Sequence, residues 1–209
     1  MIYILDLDHT LLDTTAFKKA LEESLVPLGI SPEQFQETYA ATTSGIAGKY
    51  DYTIERHAAQ LHERCGVDEQ AARERLSGAL DRLPDFLFAD SLPFLELLNE
   101  KSETCVLLTL GNSVFQEEKV RRLGIGKYFF NMIFTEEKKD TVTLDLPEGP
   151  AAWVFINDNP IEIRGLQTRF PEARMIRIKR PGGKSFSARF RPATTFSARQ
   201  CWNKQDERC

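Results

Sequence analysis

Hydrophobic and polar positions alternate between two periods along this chain. It opens on an apolar run, Met1-Ile2-Tyr3-Ile4-Leu5, that stops abruptly in Asp6-Leu7-Asp8-His9-Thr10-Leu11-Leu12-Asp13-Thr14. Such a run predicts a buried strand that delivers acids to the carboxyl end of a sheet. Helical spacing follows at Phe17, Ala20, Leu21, Leu25 and Leu28, ending at Gly29. A second helix starts at Ser31-Pro32-Glu33-Gln34, with Ser31 as N-cap and Gln34 at the capping-box position. A third runs from about Thr53 to Cys65, closed by Gly66, and a fourth from Asp68 to Leu83, closed by Pro84.

A helix around Leu92 to Leu98 leads to the second strand, Thr104 to Thr109, with Gly111-Asn112 as its turn and a helix from Phe115 to Leu123. Phe130 to Thr135 reads as a short strand, followed by Glu136-Glu137-Lys138-Lys139-Asp140 and a short helix. Trp153 to Ile156 is a strand that ends in Asn157-Asp158-Asn159-Pro160-Ile161-Glu162; a helix over Ile163 to Phe170 and a strand over Ala173 to Ile178 complete the pattern. Alternating strand and helix predicts an α/β fold, a Rossmann-like parallel sheet with helices on both faces. Roughly ninety residues separate the first two strands, where a parallel crossover needs about a dozen. The surplus predicts an inserted all-helical module over residues 15–88, with the core formed by 1–14 and 89–180.

Composition changes this picture only at the end of the chain. With 209 residues, 42% hydrophobic and 28% charged, the chain suits one full-sized domain or one with a small insert. A formal charge of −4 speaks against a role in neutralising a nucleic-acid backbone. By count, however, Arg174 to Cys209 holds ten Lys or Arg against two acidic residues. The stretch 181–209 reads as a solvated or partly disordered basic extension, or else as an anion- or partner-binding segment. No stretch reaches the length of a membrane span, no signal core precedes the first strand, and Cys65, Cys105, Cys201 and Cys209 form neither a CxxC pair nor a metal-ligand spacing. These features predict a cytoplasmic protein with reduced thiols.

Candidate chemistry gathers at strand ends. Asp6 and Asp8 lie two apart, so on a strand they project to one side and could share a metal ion or a substrate. An ordinary Asx turn, with Asp8 or Thr10 satisfying local amides, is the plainer reading of that stretch. Yet Thr109 with Asn112, and Asp158 with Glu162, stand at the ends of two other strands, and Lys138-Lys139 lies between them. A parallel sheet brings all these ends to one edge. His57 and His62, five apart, share no helix face and read as partly exposed cap histidines.

The four groups together resemble the haloacid dehalogenase-like (HAD) hydrolase superfamily: DxDxT as Asp6-Leu7-Asp8-His9-Thr10, a strand-closing Thr109, an isolated lysine as Lys138 or Lys139, and an acidic pair as Asp158 and Glu162. The insertion lies where that family places a helical C1-type cap. Two departures stand in the last motif, Asn157 where glycine is common and Glu162 where a second aspartate is common.

The resemblance implies a Mg²⁺-dependent phosphatase. Asp6 would be the nucleophile that forms an aspartyl-phosphate, and Asp8 the acid and base. Asp6, Asp158 and the Asp8 carbonyl would hold Mg²⁺, with Glu162 reaching it through water. Thr109 and one lysine, Lys139 slightly favoured, would bind phosphoryl oxygens. Thr10 and the backbone amides of Gly111 and Asn112 would complete the substrate site. An aspartate at position 8 favours phosphate chemistry over dehalogenation, since a departing halide needs no proton. Substrate choice would belong to the cap, with Tyr39, Tyr50, Tyr52, His57 and the Thr42 to Lys49 loop as candidates. A small phosphorylated metabolite or a nucleotide is the implied partner. Transfer to an acceptor alcohol, or a binding module without turnover, are the alternatives.

Overall fold

The computed structural model describes residues 1–43, 51–180 and 195–196. Five parallel strands form the sheet: β1 (Ile2–Leu5), β2 (Thr104–Leu110), β3 (Asn131–Thr135), β4 (Trp153–Asn157) and β5 (Arg174–Ile178). A two-residue strand, β6 (Thr195–Phe196), pairs beyond β5, giving the order β3-β2-β1-β4-β5-β6. Apart from β6, the basic extension expected over 181–209 lies outside the described residues. β1 is therefore interior, paired with β2 on one side and β4 on the other, and the chain emerges from it at the middle of the carboxyl edge.

Alternation along each strand sorts the core into two layers. Leu5, Leu107, Val154, Ile156, Ile176 and Ile178 face one side, with Leu95 and Leu98 of α5 (Ser91–Glu100) and Val120 and Leu123 of α6 (Ser113–Leu123). Ile2, Ile4, Val106, Leu108, Trp153, Phe155 and Met175 face the other, with Leu166 of α7 (Pro160–Arg169) and Phe170. Helices thus cover both faces, which is why the strands read as continuous apolar runs.

Four helices lie between β1 and β2: α1 (Thr14–Leu25), α2 (Pro32–Thr43), α3 (Ile54–Cys65) and α4 (Glu69–Leu80). Their ends follow capping chemistry. Asp13 accepts from Ala16 N–H, Thr53 from Arg56 N–H and Asp68 from Ala71 N–H, while Ser31 and Gln34 exchange the two bonds of a capping box. Two antiparallel chain segments connect these helices to the core. Leu12 bridges Leu87, Asp13 N–H donates to Phe86 O, and Phe88 N–H donates to Leu11 O.

One sequence expectation fails inside this helical layer. His57 is fully buried, not partly exposed; only His62 sits at the surface. The Thr38 hydroxyl donates to Gln34 O, so it accepts from His57 Nε2–H at 3.1 Å, and Nδ1 accepts from the Tyr52 hydroxyl at 3.0 Å. Phe35, Tyr39 and Tyr52 surround the ring. Burial, with a smaller push from Lys18, lowers the imidazole to about 4 from 6.5. The unfolded chain therefore takes up the proton first as pH falls, and folding stability drops between pH 6.5 and 4. Between pH 7.5 and 5 the His57 share is about 2 kcal/mol. Denaturant titrations at both pH values check it: wild type should lose that much more than His57→Gln, and equal losses would refute a neutral buried ring.

The short helix expected after Asp140 is a single 3-10 turn, Lys139–Thr141, and α7 begins at Pro160 instead of Ile163 because Asn159 caps it by accepting from Ile161 N–H.

Candidate active site

Asp6 follows directly on β1, its N–H still bonded to Ile156 O of β4 at 3.0 Å. Its Oδ1 accepts from Leu7 N–H at 2.8 Å and lies 2.6 Å from Lys139 Nζ. Oδ2 has only the Thr10 hydroxyl, at 3.5 Å. One oxygen is fixed and the other is free to react.

Lys139 reaches Asp6 from the turn after β3 and is 2% exposed, whereas Lys138 points to solvent. The two adjacent lysines are thereby distinguished, and Lys138 takes no part in the site. The turn packs closely on α7: a Cβ on Gly165 would meet Asp140 Oδ2 at 2.6 Å. Lys139 Nζ is also 2.7 Å from Glu162 Oε2. Burial would depress this ammonium, but Asp6 and Glu162 outweigh it and hold its pKa above the ordinary lysine value. Burial pushes the Asp6 carboxyl up, with Lys139 opposing.

Glu162 has protein partners that its motif position alone does not predict. Besides Lys139 it receives Asn157 Nδ2 at 2.9 Å on Oε2 and Asn159 Nδ2 at 3.0 Å on Oε1. Both oxygens accept from side-chain donors, so in this structure Glu162 is a counter-ion beside Lys139. Asn157 and Asn159, departures from the motif, are what hold it. Asp158 is half-buried beside His9, and burial raises its carboxyl. Its backbone oxygen accepts from Arg177 Nε at 3.2 Å.

Thr109, at the end of β2, is fully buried and its hydroxyl has no partner. Buried polar atoms are normally satisfied, so this one is available for a ligand oxygen. The turn that follows is engaged through the Gly111 amide and the Asn112 side chain. Gly111 N–H donates to Thr135 O at 2.8 Å, so that amide is not open to a phosphate. Asn112 caps α6 through Oδ1 and donates Nδ2 to Asp51 Oδ1 at 2.7 Å, tying the core to the segment before α3. Asp51 also pairs with Arg56.

Asp8 is held by residues that the sequence did not single out. Lys119 Nζ lies 2.7 Å from both its oxygens, Thr14 Oγ1 donates to Oδ1 at 2.6 Å, and Gln116 Nε2 donates to Oδ2 at 2.9 Å. Burial alone would raise this carboxyl, but Lys119 and the hydroxyl and amide donors bring it to about 2. Gln116 can approach because position 111 is glycine: a Cβ there would meet Gln116 Nε2 at 2.6 Å, and the φ of +151° is one L side chains rarely adopt. Gly111→Ala should therefore displace Gln116 and cost about 2 kcal/mol or more, read as a lowered denaturation midpoint. A change under about 0.5 kcal/mol would show that the helix yields freely.

Arg180, the last residue of the expected core, is bound into it. It donates Nε and Nη2 to Thr10 O at 3.1 and 2.6 Å and Nη1 to both oxygens of Asp90 at 2.7 and 2.8 Å, and it stacks on Phe88. It fixes the loop after β1 against the returning cap connection.

No protein-family model matches the sequence, and no curated protein does. Solved structures do. The L-2-haloacid dehalogenase of Xanthobacter autotrophicus superposes with a TM-score of 0.59 at 18% identity, over 87% of this chain and 78% of that one. The fold is that of the HAD-like hydrolases. Bacillus subtilis YfnB, described as a HAD-hydrolase bound to magnesium, matches with a TM-score of 0.59 at 16% identity over 88% and 90% of the two chains. A Thermotoga maritima protein described as a beta-phosphoglucomutase matches with a TM-score of 0.56 at 17% identity over 88% of each. All of these likenesses span the HAD-like core together with the insertion between β1 and β2.

Of the cap residues considered for substrate choice, Tyr39 is half-buried and stacks near Tyr52, which meets Phe115 of α6 edge to face with centroids 4.9 Å apart. Tyr52 and His57 are core, and Thr42 is buried and bonded to Thr38 O. Thr43 donates to Tyr39 O, and residues 44–50, Tyr50 among them, lie outside the described residues. Among the described residues no helix is long and apolar enough to cross a membrane.

Proposed function

We propose that this HAD-like protein is a phosphatase that hydrolyses a small phosphate monoester through an aspartyl-phosphate on Asp6. The observation that carries the reading is the pairing of Asp6, one oxygen pinned by Leu7 N–H and Lys139 and the other open, with the unpartnered buried hydroxyl of Thr109. Asp6 Oδ2 would attack phosphorus as the bond to the ester oxygen breaks, and that oxygen would take its proton from Asp8, which must first turn from Lys119 and pick up a proton from solvent. Water would then attack phosphorus, releasing inorganic phosphate and restoring the carboxylate. Thr109 Oγ1 and Lys139 would donate to the phosphoryl oxygens, where charge is concentrated.

The donor set suits a hard divalent cation such as Mg²⁺. The Asp6 and Asp158 carboxylates supply oxygens in a partly buried site where burial disfavours their charge. With Glu162 committed elsewhere and no cluster of three His, Cys, Asp or Glu side chains among the described residues, the ion would rest on these two, the Asp8 carbonyl and water. When bound it supplies positive charge against the phosphoryl group. Asp8 supports phosphate chemistry over dehalogenation, though in this arrangement it only accepts hydrogen bonds; to serve as the acid it must leave Lys119.

Assay of p-nitrophenyl phosphate and a panel of phosphorylated metabolites and nucleotides tests the reading. Turnover of at least one ester is expected, with EDTA removing most of it and Mg²⁺ restoring it. Absence of phosphate release across the panel would sink the phosphatase.

A further inference from the structure

The charge lock on Asp8 constrains what can enter the site. Four hydrogen bonds from three side chains hold this carboxylate, and the three donors are not equivalent once it moves. Gln116 Nε2 also donates to Leu110 O at 3.0 Å, and the Thr14 hydroxyl has Leu12 O at 3.5 Å, so each keeps an acceptor if Asp8 turns away. Lys119 has none. Among the described residues Asp8 is the one carboxylate it touches, its other neighbour being the Phe115 ring at 5.6 Å, and it is 3% exposed. A buried ammonium stripped of its counter-ion is strongly unfavourable, so motion of Asp8 toward a leaving oxygen requires another anion in the place it vacates.

The same helix face carries a second unsatisfied group. Gln116 is 5% exposed, its Nε2 faces two oxygens, and its Oε1 is buried without a partner.

We propose that the substrate is a phosphate monoester bearing a second anionic group close to the ester oxygen, and that Lys119 binds this group as Asp8 turns to the leaving oxygen. The inference rests on the phosphatase reading. It deepens that reading by naming a substrate class: esters whose leaving group carries a carboxylate or a second phosphoryl group within a short spacer, since the group must occupy the space that the Asp8 carboxylate fills in this structure. A neutral leaving group leaves Lys119 paired with Asp8 and the acid out of reach.

Calorimetric titration with three non-hydrolysable probes at one fixed free Mg²⁺ concentration tests this: ethylphosphonate, phosphonoacetate and methylenediphosphonate. Wild type should bind at least one doubly anionic probe about tenfold or more tightly than ethylphosphonate, and which of the two it prefers identifies the second group as carboxylate or phosphoryl. Lys119→Met should bring the preferred probe to within about threefold of ethylphosphonate, and Lys119→Arg should retain most of the difference. The wild-type comparison stands even if Lys119→Met folds poorly. Equal binding of all three probes by wild type, or a preference that survives in Lys119→Met, overturns the assignment while leaving the phosphatase intact. Failure to bind any of the three overturns the assignment, and the phosphatase then stands or falls on phosphate release from the ester panel alone.

Discussion

Asp6→Asn is expected to abolish turnover, by at least about 10³-fold in kcat, while leaving the fold intact. Asparagine has the shape of aspartate, so its amide oxygen can keep the contacts of Oδ1 with Leu7 N–H and Lys139. What changes is the other position, where an amide nitrogen replaces the open carboxylate oxygen and has no electron pair to offer phosphorus. Lys139 retains Glu162 at 2.7 Å and so does not become an orphaned charge. The melting temperature should therefore shift by a few degrees at most, and kinetics should collapse without it. Steady-state assay beside a thermal melt checks both. Residual activity above a tenth of wild type would remove Asp6 as nucleophile, whatever the substrate.

The fold was largely legible because parallel sheets declare themselves. Buried strands read as apolar runs, each ends in polar residues, and Gly29, Gly66 and Gly124 close helices in the left-handed conformation that favours glycine. The placement of Asp6, Thr109 and Asp158 on one edge was legible for the same reason: strand ends in a parallel sheet share it. Roles that depend on which donor meets which acceptor were not. Gly111 looked like an open amide, but Thr135 O already takes its hydrogen, and the residue's real contribution is room for Gln116. Glu162 was expected from the resemblance to face a metal through water, and its engagement by Asn157, Asn159 and Lys139 could not be read from the motif.

Lys119 was hidden by its own charge. Gln116, Lys119, Val120 and Leu123 are spaced as one helix face and are all buried. The signal was therefore present, as two polar residues at inward positions of an amphipathic helix. A lysine in such a place is usually read as a solvated neighbour of the stripe, and only the position of Asp8 across from it says otherwise. Arg180 fell within the expected core, but its contacts did not show in the sequence: its bonds to Thr10 and Asp90 join residues far apart along the chain.

Lys139→Met should be the costliest substitution in the site for stability and among the costliest for activity. The methionine preserves most of the volume, so the effect is one of charge. Asp6 and Glu162 both lie within 2.7 Å of the same buried ammonium, and without it two carboxylates face each other across a space too small to hydrate both. Breaking a buried ion pair from one side costs about 3–5 kcal/mol, and the loss of a donor to the phosphoryl oxygens about 10²–10³-fold in kcat. Stability should recover in part when Mg²⁺ is added, because a cation between Asp6 and Asp158 offsets some of the repulsion, so the gap between variant and wild type should be widest in EDTA. The neighbouring exposed Lys138→Met supplies the contrast: a stability change within about 0.5 kcal/mol and unaltered kinetics. Denaturant midpoints and kcat for the two variants, with and without Mg²⁺, decide the matter. Equal effects at the two positions would mean that the ammonium bridging Asp6 and Glu162 does not hold the site together.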